Sequence, residues 1–146
     1  MEPFKYDTLN ALNTQIQLLM LHPGSWEEDI HCHFTTVSLD NFPEYETISY
    51  VWGDSTLRRP IIADGHCFLV TMGLEKALRR FRHPQASRIM WADAICINQQ
   101  DSHERFQQVS VMGAIYKQCS EVQIWLGEEN DLPLAQENGG GTGHSP

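Results

Sequence analysis

Positive charge is scarce in this sequence. Its 146 residues include 10 lysine and arginine residues against 19 aspartate and glutamate residues, and the formal net charge is -9. Because binding to nucleic acid or to an anionic membrane surface relies on basic side chains, this composition disfavours both kinds of partner. Long apolar runs are lacking as well, since none approaches the roughly 20 residues that a helix needs to span a bilayer. The start of the chain also lacks the charged and apolar regions of a secretory leader, so we expect a cytoplasmic protein.

Cysteines at the spacing of a disulfide framework or a zinc site are also missing. The four cysteines are scattered along the chain, which indicates reduced thiols. His31 and His33 flank Cys32, and zinc prefers these ligand types. In a strand, however, alternation directs the two histidines to the face opposite the cysteine. We therefore predict no metal site and no tightly bound cofactor.

An apolar stretch with a single carboxylate is the most informative part of the sequence. Residues 89–97 are apolar except for Asp93, which predicts a strand buried on both faces of a parallel sheet. Asp101 and Glu104 then have the D-x-x-E spacing of a capping box, which predicts the start of a helix. Residues 122–126 predict another strand, so the unit is a βαβ crossover. The apolar residues at helical spacing between the strands are Phe106, Val109, Met112, Ala114, Ile115, Tyr116 and Cys119.

The chain before this crossover contains several shorter elements. Residues 15–21 are a short apolar run that predicts an edge strand. Asp64 and Gly65 form a pair that can take positive φ, which predicts the turn of a β-hairpin. Thr71 follows as the predicted N-cap of an amphipathic helix. The predicted strands lie at residues 15–21, 30–39, 47–52, 60–63 and 66–70.

The two ends of the chain differ in composition from the middle. Residues 1–14 are polar and weakly patterned, so we predict an N-terminal extension. The residues after Gly127 are acidic and then glycine-rich, which predicts a flexible tail over residues 131–146. Residues 15–130 are long enough for one domain with its own core.

Four blocks carry a resemblance to a known family: residues 45–54 (YETISYVWGD), 61–82, 91–116 (with the CINQ element) and 122–127 (VQIWLG). In this order and spacing they resemble the heterokaryon incompatibility (HET) domain of filamentous fungi. The resemblance implies a cell-death effector in non-self recognition, with self-association or an upstream sensor protein as partner. It also implies distant similarity to Toll/interleukin receptor (TIR) domains. The expected fold is therefore α/β: a TIR-like, flavodoxin-style three-layer sandwich with a mainly parallel sheet and an added β-hairpin.

Several TIR domains cleave NAD at the nicotinamide glycosidic bond, so the resemblance implies NAD as a substrate. The nicotinamide leaves as a neutral molecule, and its departure needs little acid catalysis. The reaction needs a carboxylate near the developing oxocarbenium ion, polar groups that orient the ribose, and an aromatic surface. Asp93 and Glu104 are the predicted catalytic residues, while Trp91 is a further aromatic candidate and Glu128 a further carboxylate. The predicted substrate-binding residues are Ser49, Tyr50, Trp52, Gly53, Asp54, Cys96, Asn98 and Gln99.

Each candidate also has a structural interpretation. Glu104 could serve only in the capping box, and Asp93 could pair with an arginine in the core. Asn98 and Gln99 could satisfy backbone groups in a turn, and Cys96 could be a small buried hydrophobe. Packing, a turn and a cap could explain residues 52–54, and Trp91, Tyr116 and Trp125 lie at the spacing of core residues.

Two functional hypotheses follow from these residues. In the first, Ser49, Tyr50, Trp52 and Asp54 face Asp93, Asn98, Gln99 and Glu104 across one cleft of an NAD hydrolase. The sequence departs from catalytic TIR domains in one respect, because the helix that carries their essential glutamate would begin beyond Gly127. In the second hypothesis, the domain is a non-enzymatic death-signalling module. It would act by self-association through an exposed apolar helix face or an open sheet edge at residues 15–21.

Overall fold

One mixed sheet of seven strands organises the part of the chain that the structure, a computed structural model, describes: residues 3–6, 9, 14–50 and 56–127. The strand order is β5-β4-β2-β1-β6-β3-β7. The strands are β1 (Gln15–Leu21), β2 (His31–Ser38), β3 (Glu46–Tyr50), β4 (Arg58–Ala63), β5 (His66–Thr71), β6 (Arg88–Trp91) and β7 (Glu121–Trp125). The α-helices are α1 (Met72–Phe81), α2 (Asp93–Cys96) and α3 (Ser102–Gln118), and a short 3-10 helix spans Leu39–Asn41.

Strand β1 lies inside the sheet. It pairs antiparallel with β2 on one side and with β6 on the other. Ile16 and Leu19 point to opposite faces, and both are fully buried. The prediction of an edge strand at residues 15–21 is therefore wrong, because a strand that is apolar on both faces is stabilised by an inner position. The edges among the described strands are β5 and β7.

The α/β class and the βαβ crossover are confirmed. Strands β6 and β7 both run parallel to β3, which lies between them, and α3 connects the two. The sheet as a whole is mixed, since three of its six pairings are parallel and three are antiparallel. The expectation of a mainly parallel sheet was too strong because β1 and the hairpin both introduce antiparallel pairs.

The helices α1 and α3 lie on opposite faces of β3. The Thr47 hydroxyl is 3.7 Å from the Cys119 thiol at the end of α3. Tyr50, three residues further on, lies near the side chain of Thr71, the N-cap of α1. Alternation along a strand directs residues 47 and 50 to opposite faces, so the sheet has a helix on each side here.

The apolar run after β6 turns into a helix. Strand β6 ends at Trp91, and the backbone N–H of Cys96 donates to the Ala92 carbonyl at 2.8 Å. The prediction of one strand over residues 89–97 is wrong beyond Trp91. The periodicity of apolar residues does not distinguish a buried strand from a buried helical turn. Ile95 and Cys96 belong to α2, and both are fully buried there. Asp93 consequently lies in the first turn of a short helix, half-buried, and not within a core strand.

The hairpin and α1 form as predicted. Asp64 and Gly65 adopt φ values of 53° and 79° between β4 and β5. The Thr71 hydroxyl accepts a hydrogen bond of 3.2 Å from the Leu74 amide, which caps α1. Leu74, Ala77 and Leu78 form the buried stripe of the helix, which packs on β3, β4 and β5.

The described N-terminal residues pack against the sheet. The amide of Phe4 donates to the Cys67 carbonyl at 3.3 Å, and the Tyr6 hydroxyl donates to the Ile95 carbonyl at 2.5 Å. The rings of Phe4 and Tyr6 also contact those of Phe34 and Phe68. The polar composition of residues 1–14 gave no sign of this packing. The predicted tail over residues 131–146 lies outside the described residues.

Helix α3 directs an unexpected set of side chains to the sheet. Its buried residues are Glu104, Gln108 and Ile115, whereas Phe106 is 80% exposed and Val109 is 62% exposed. The predicted apolar stripe is therefore wrong at these two positions, and also at Ala114 and Tyr116, which are exposed although Tyr116 was expected in the core. Two polar residues occupy the inner face because the backbone beneath them offers hydrogen-bonding partners, as described below.

Candidate functional site

A cavity of about 820 Å³ opens between the N-terminal segment, the hairpin and the loop after α2. This volume is within the range of small-molecule sites. Aromatic rings contribute one part of the lining and carboxamides contribute another. Both charged residues of the lining, Lys5 and Arg58, are cationic. The aromatic residues are Phe4, Tyr6 and Phe68, and the carboxamides belong to Asn98, Gln99 and Gln100.

Asp93 lies beside this cavity at the carboxyl ends of β6 and β3. Asp93 is not itself a lining residue, and neither is Ser49 or Tyr50, but Ala94, the neighbour of Asp93, is one. Burial raises the pKa of Tyr50, and the charge of Asp93 raises it further, against a hydrogen bond with Thr71 and the charge of Arg58. The Tyr50 hydroxyl therefore lies within electrostatic reach of both Asp93 and Arg58.

Tyr116, on α3, lies close to both Asp93 and Ser49, which is near the end of β3. Burial raises the pKa of Tyr116, and the charge of Asp93 raises it further, whereas a hydrogen bond with Ser49 lowers it. No ion pair joins Asp93 to an arginine in the part of the chain that the structure describes. Asp93 is therefore within electrostatic reach of Tyr50 on the α1 face of β3 and of Tyr116 on the α3 face, where Ser49 also lies.

The loop after α2 adds two carboxamides to this group. The Gln99 side chain donates to the Asp93 carbonyl at 2.8 Å. The Asn98 side chain accepts from the Gln100 amide at 3.1 Å, which stabilises the turn. Both residues also line the cavity, so they can contact a ligand in addition to stabilising the loop.

Glu104 stabilises this loop through a hydrogen bond with its backbone. Asp101 caps α3 as predicted, because its carboxylate accepts from the amides of His103 and Glu104, each at 3.1 Å. The Glu104 carboxylate accepts from the Asn98 amide at 2.9 Å, so it closes the loop and does not complete a reciprocal capping box. Burial raises the pKa of Glu104, which is 5% exposed, while the bond from Asn98 lowers it.

Two candidates are fully buried. Cys96 is 0% exposed, and burial raises the pKa of its thiol to about 12. Trp91 is also 0% exposed and meets the Tyr116 ring edge-on, with centroids 5.7 Å apart. The core assignment of Trp91 is confirmed, and neither Trp91 nor Cys96 belongs to the cavity lining.

The remaining candidates are Trp52, Gly53, Asp54 and Glu128, which lie outside the described residues. Within the described ranges, no group of three His, Cys, Asp or Glu side chains is arranged to hold a metal ion. None of the described helices is both long enough and apolar enough to cross a membrane.

Of the described residues that line the cavity, the sequence predicted Asn98 and Gln99 as site residues and missed the others, including Lys5, Tyr6 and Arg58. Two signals were available. Phe4 and Tyr6 are aromatic residues within a segment that is otherwise polar, and Arg58 and Arg59 are adjacent cations in a chain with few. Neither signal indicates where in the fold these side chains lie.

Comparison with known proteins identifies the family. The family model described as heterokaryon incompatibility protein (HET) matches residues 45–139. The chain is 38% identical over 144 residues to heterokaryon incompatibility protein 6, OR allele, of Neurospora crassa. That match covers 88% of this chain and 21% of the relative, so the chain spans about a fifth of the relative's length. No solved structure matches the chain. Since the family model covers more than half of it, the chain belongs to the heterokaryon incompatibility (HET) family.

Proposed function

We propose that this chain is an effector domain of fungal heterokaryon incompatibility and that it hydrolyses NAD at the nicotinamide–ribose bond. The family and the name of the Neurospora relative support the biological role. The observation that supports the chemistry is the position of Asp93, next to the cavity and within reach of the Tyr50 hydroxyl. An upstream sensor protein would trigger the activity.

The fold that accompanies this function is a variant of the TIR-like, flavodoxin-style three-layer sandwich. In support, the order β6-β3-β7 corresponds to the 2-1-3 order that begins a flavodoxin-like sheet. Folds of this type bind ligands at the carboxyl end of the strand where the connections change direction. Here that strand is β3, which ends at Tyr50.

Each residue of the group has a role in the proposed reaction. The Asp93 carboxylate stabilises the positive charge that develops on the ribose as the bond to nicotinamide breaks. The bonding electron pair leaves with the nicotinamide nitrogen, water adds to the ribose carbon, and a proton is released to solvent. Ser49, Tyr50 and Gln99 orient the ribose. Glu104 positions the loop that carries Gln99 and is not itself in the cavity lining.

The test is NAD turnover by the purified chain and by Asp93→Asn, followed through release of nicotinamide. We expect the variant to lose at least about 100-fold in kcat, because the carboxylate acts mainly in the transition state. Asp29→Asn is the matched control, since Asp29 is an exposed aspartate before β2, which runs in the same direction as β6, so it lies at the opposite end of the strands from Asp93. Equal turnover by both variants, each unfolding cooperatively, would remove Asp93 from the mechanism.

A second candidate function is a death-signalling module that acts by self-association. The observation that favours it is a set of exposed apolar side chains on α3 and on the edge strand β7. Sedimentation across a range of concentrations distinguishes the two functions when turnover is measured in parallel. A chain that assembles but never releases nicotinamide is a scaffold. The exposed apolar side chains in question are Phe106 and Val109 on α3, Val122 and Ile124 on β7, and Leu126 just after β7.

A further inference from the structure

The charge of the cavity is opposite in sign to that of the chain. The chain carries a formal net charge of -9, yet among its described residues those that are charged and line the cavity are Lys5 and Arg58. Both side chains are exposed, and neither has a carboxylate of another described residue within ion-pair distance. The cavity is therefore a local cationic site on an acidic protein, and such a site attracts anions selectively.

Both cations lie on backbone that is fixed by hydrogen bonds. Lys5 stands between Phe4 and Tyr6, and the bonds of these two residues to Cys67 and Ile95 hold the segment in place. Arg58 begins β4, where it is paired with Thr71 across the hairpin. The two cations therefore come from separate parts of the chain and meet at one cavity without a rearrangement of the backbone.

The other lining groups suit the rest of a nucleotide. The rings of Phe4, Tyr6 and Phe68 form an apolar surface on which a flat base can pack. The carboxamides of Asn98 and Gln99 supply donors and acceptors for a sugar or for the edge of a base. A cationic rim, an aromatic wall and neutral polar groups are together what a phosphorylated nucleoside requires.

We propose that Lys5 and Arg58 bind the phosphate groups of a nucleotide in this cavity, which makes the N-terminal segment part of the ligand site. Arginine binds phosphate oxygens through two parallel N–H donors, and lysine binds them as a point charge. This inference deepens the proposed function and rests on it for the choice of NAD, whose two phosphates would lie at these cations. The ligand class is a nucleoside diphosphate, and the unphosphorylated nucleoside binds weakly.

The experiment compares a nucleotide that carries a diphosphate with a nucleoside that carries none, by calorimetric titration of the whole chain. ADP-ribose is the phosphate-bearing probe, and adenosine is the probe without phosphate. We expect ADP-ribose to bind the natural chain at least about tenfold more tightly than adenosine does, with an affinity that falls as salt is added. Lys5→Gln and Arg58→Gln are each expected to weaken ADP-ribose about tenfold and to leave adenosine unchanged.

Two neutralised cations outside the cavity serve as controls. Arg59→Gln changes the next residue of the same strand, whose side chain points to the opposite face, and Lys117→Gln changes an exposed position on α3. Both variants carry the same change in net charge as the test variants, so we expect them to bind ADP-ribose like the natural chain. Thermal unfolding of all four variants verifies that each is folded.

Several outcomes would overturn the inference. It fails if ADP-ribose and adenosine bind equally, if ADP-ribose does not bind the natural chain, or if Arg59→Gln and Lys117→Gln weaken ADP-ribose as much as the cavity variants do. Inorganic pyrophosphate separates a nucleotide site from a simple anion site, because equal affinity for pyrophosphate and ADP-ribose contradicts a role for the base.

The result also distinguishes this inference from the proposed hydrolysis. Binding of ADP-ribose that depends on Lys5 and Arg58, without release of nicotinamide, supports the phosphate site and contradicts hydrolysis. Turnover that depends on Asp93, with KM for NAD unchanged in Lys5→Gln and Arg58→Gln, supports hydrolysis and contradicts the phosphate site.

Discussion

Helix α3 buries polar side chains against the sheet and exposes apolar side chains to solvent, which is the reverse of the usual arrangement for a helix on a sheet. Glu104 and Gln108 face inward and are 5% and 0% exposed, whereas Phe106 and Val109 face outward and are 80% and 62% exposed. A surface helix usually buries its apolar stripe and exposes its polar one. On this helix Ile115 is the one apolar residue among those that are fully buried.

The inner side shows why polar residues are kept there. Glu104 accepts from the Asn98 amide, and Gln108 donates to the Gln15 carbonyl at 3.0 Å. Such bonds are directional, so they fix the helix relative to β1 and to the loop of the candidate site. Apolar packing stabilises a contact without fixing its orientation as closely.

On the outer side, Phe106 and Val109 lie largely in solvent. Exposed apolar residues on α3 and β7 form a surface of the kind that marks an interaction with a partner. Inner substitutions should affect folding and the site, and outer substitutions should affect association.

The largest effect is expected for Glu104→Ala. The change removes a buried charge-assisted bond and leaves the Asn98 amide without its partner, which should cost about 3 kcal/mol of unfolding free energy. Urea denaturation measures this loss, and ligand binding should weaken in parallel because the loop is released. Glu27→Ala, an exposed glutamate, is the control. Equal stability of the two variants would show that the inner side does not depend on this bond.

A smaller loss is expected for Gln108→Ala. The side chain makes one neutral hydrogen bond to β1, and its removal should lower the unfolding free energy by about 1 kcal/mol. Gln107→Ala changes the neighbouring, less buried glutamine and should have little effect on the denaturation midpoint. If the two substitutions lower the unfolding free energy equally, the inward position of Gln108 on α3 does not contribute to stability.

Glu104, on the inner side of α3, is also expected to make stability depend on pH. Since burial raises the pKa of Glu104, the folded chain binds a proton more readily there than the unfolded chain does. This contribution to stability is fully present below the unfolded value of 4.5 and is lost as the pH rises through the folded pKa.

Glu104→Gln should remove this part of the pH dependence, and the change should be smaller than the effect of either truncation. Urea denaturation of both proteins from pH 4 to pH 7 measures it. Parallel curves for the natural chain and Glu104→Gln would contradict the raised pKa.

The smallest effect on stability is expected on the outer side. Phe106→Ser combined with Val109→Ser should change the unfolding free energy by less than about 0.5 kcal/mol, because both side chains are already in water. Any self-association seen by sedimentation should fall at the same time. Arg105→Ser, at an exposed position of the same helix, should leave association unchanged. A large loss of stability in the double variant would mean that the two sides are not independent.

Local signals predicted the local structure well. The Asp64-Gly65 turn, the Thr71 cap and the Asp101 cap each depend on residues a few positions apart, and each occurs as predicted. Prediction was wrong where the pattern was ambiguous, as in residues 92–97, which suit a buried helical turn as well as a strand. It was also wrong for the position of β1 in the sheet, which depends on strands far away in the sequence.

The candidate site was predicted in part. Ser49, Tyr50, Asp93, Asn98 and Gln99 were selected as polar groups near the ends of two strands, and those strands, β3 and β6, are parallel neighbours in the sheet. Their chemical roles stay predictions. The sequence also did not indicate that Glu104 would turn away from the capping box to hold the Asn98 amide.

The sequence by itself determined the family, the turns, the caps and the acidic character of this protein, since these depend on composition and on short spacings. Only the tertiary structure decided which distant residues meet. Lys5 and Arg58 share a cavity because the N-terminal segment docks on the hairpin, and Glu104 and Gln108 are buried because loop and strand offer them partners. Contacts between distant residues depend on strand order and packing, which local propensity does not encode.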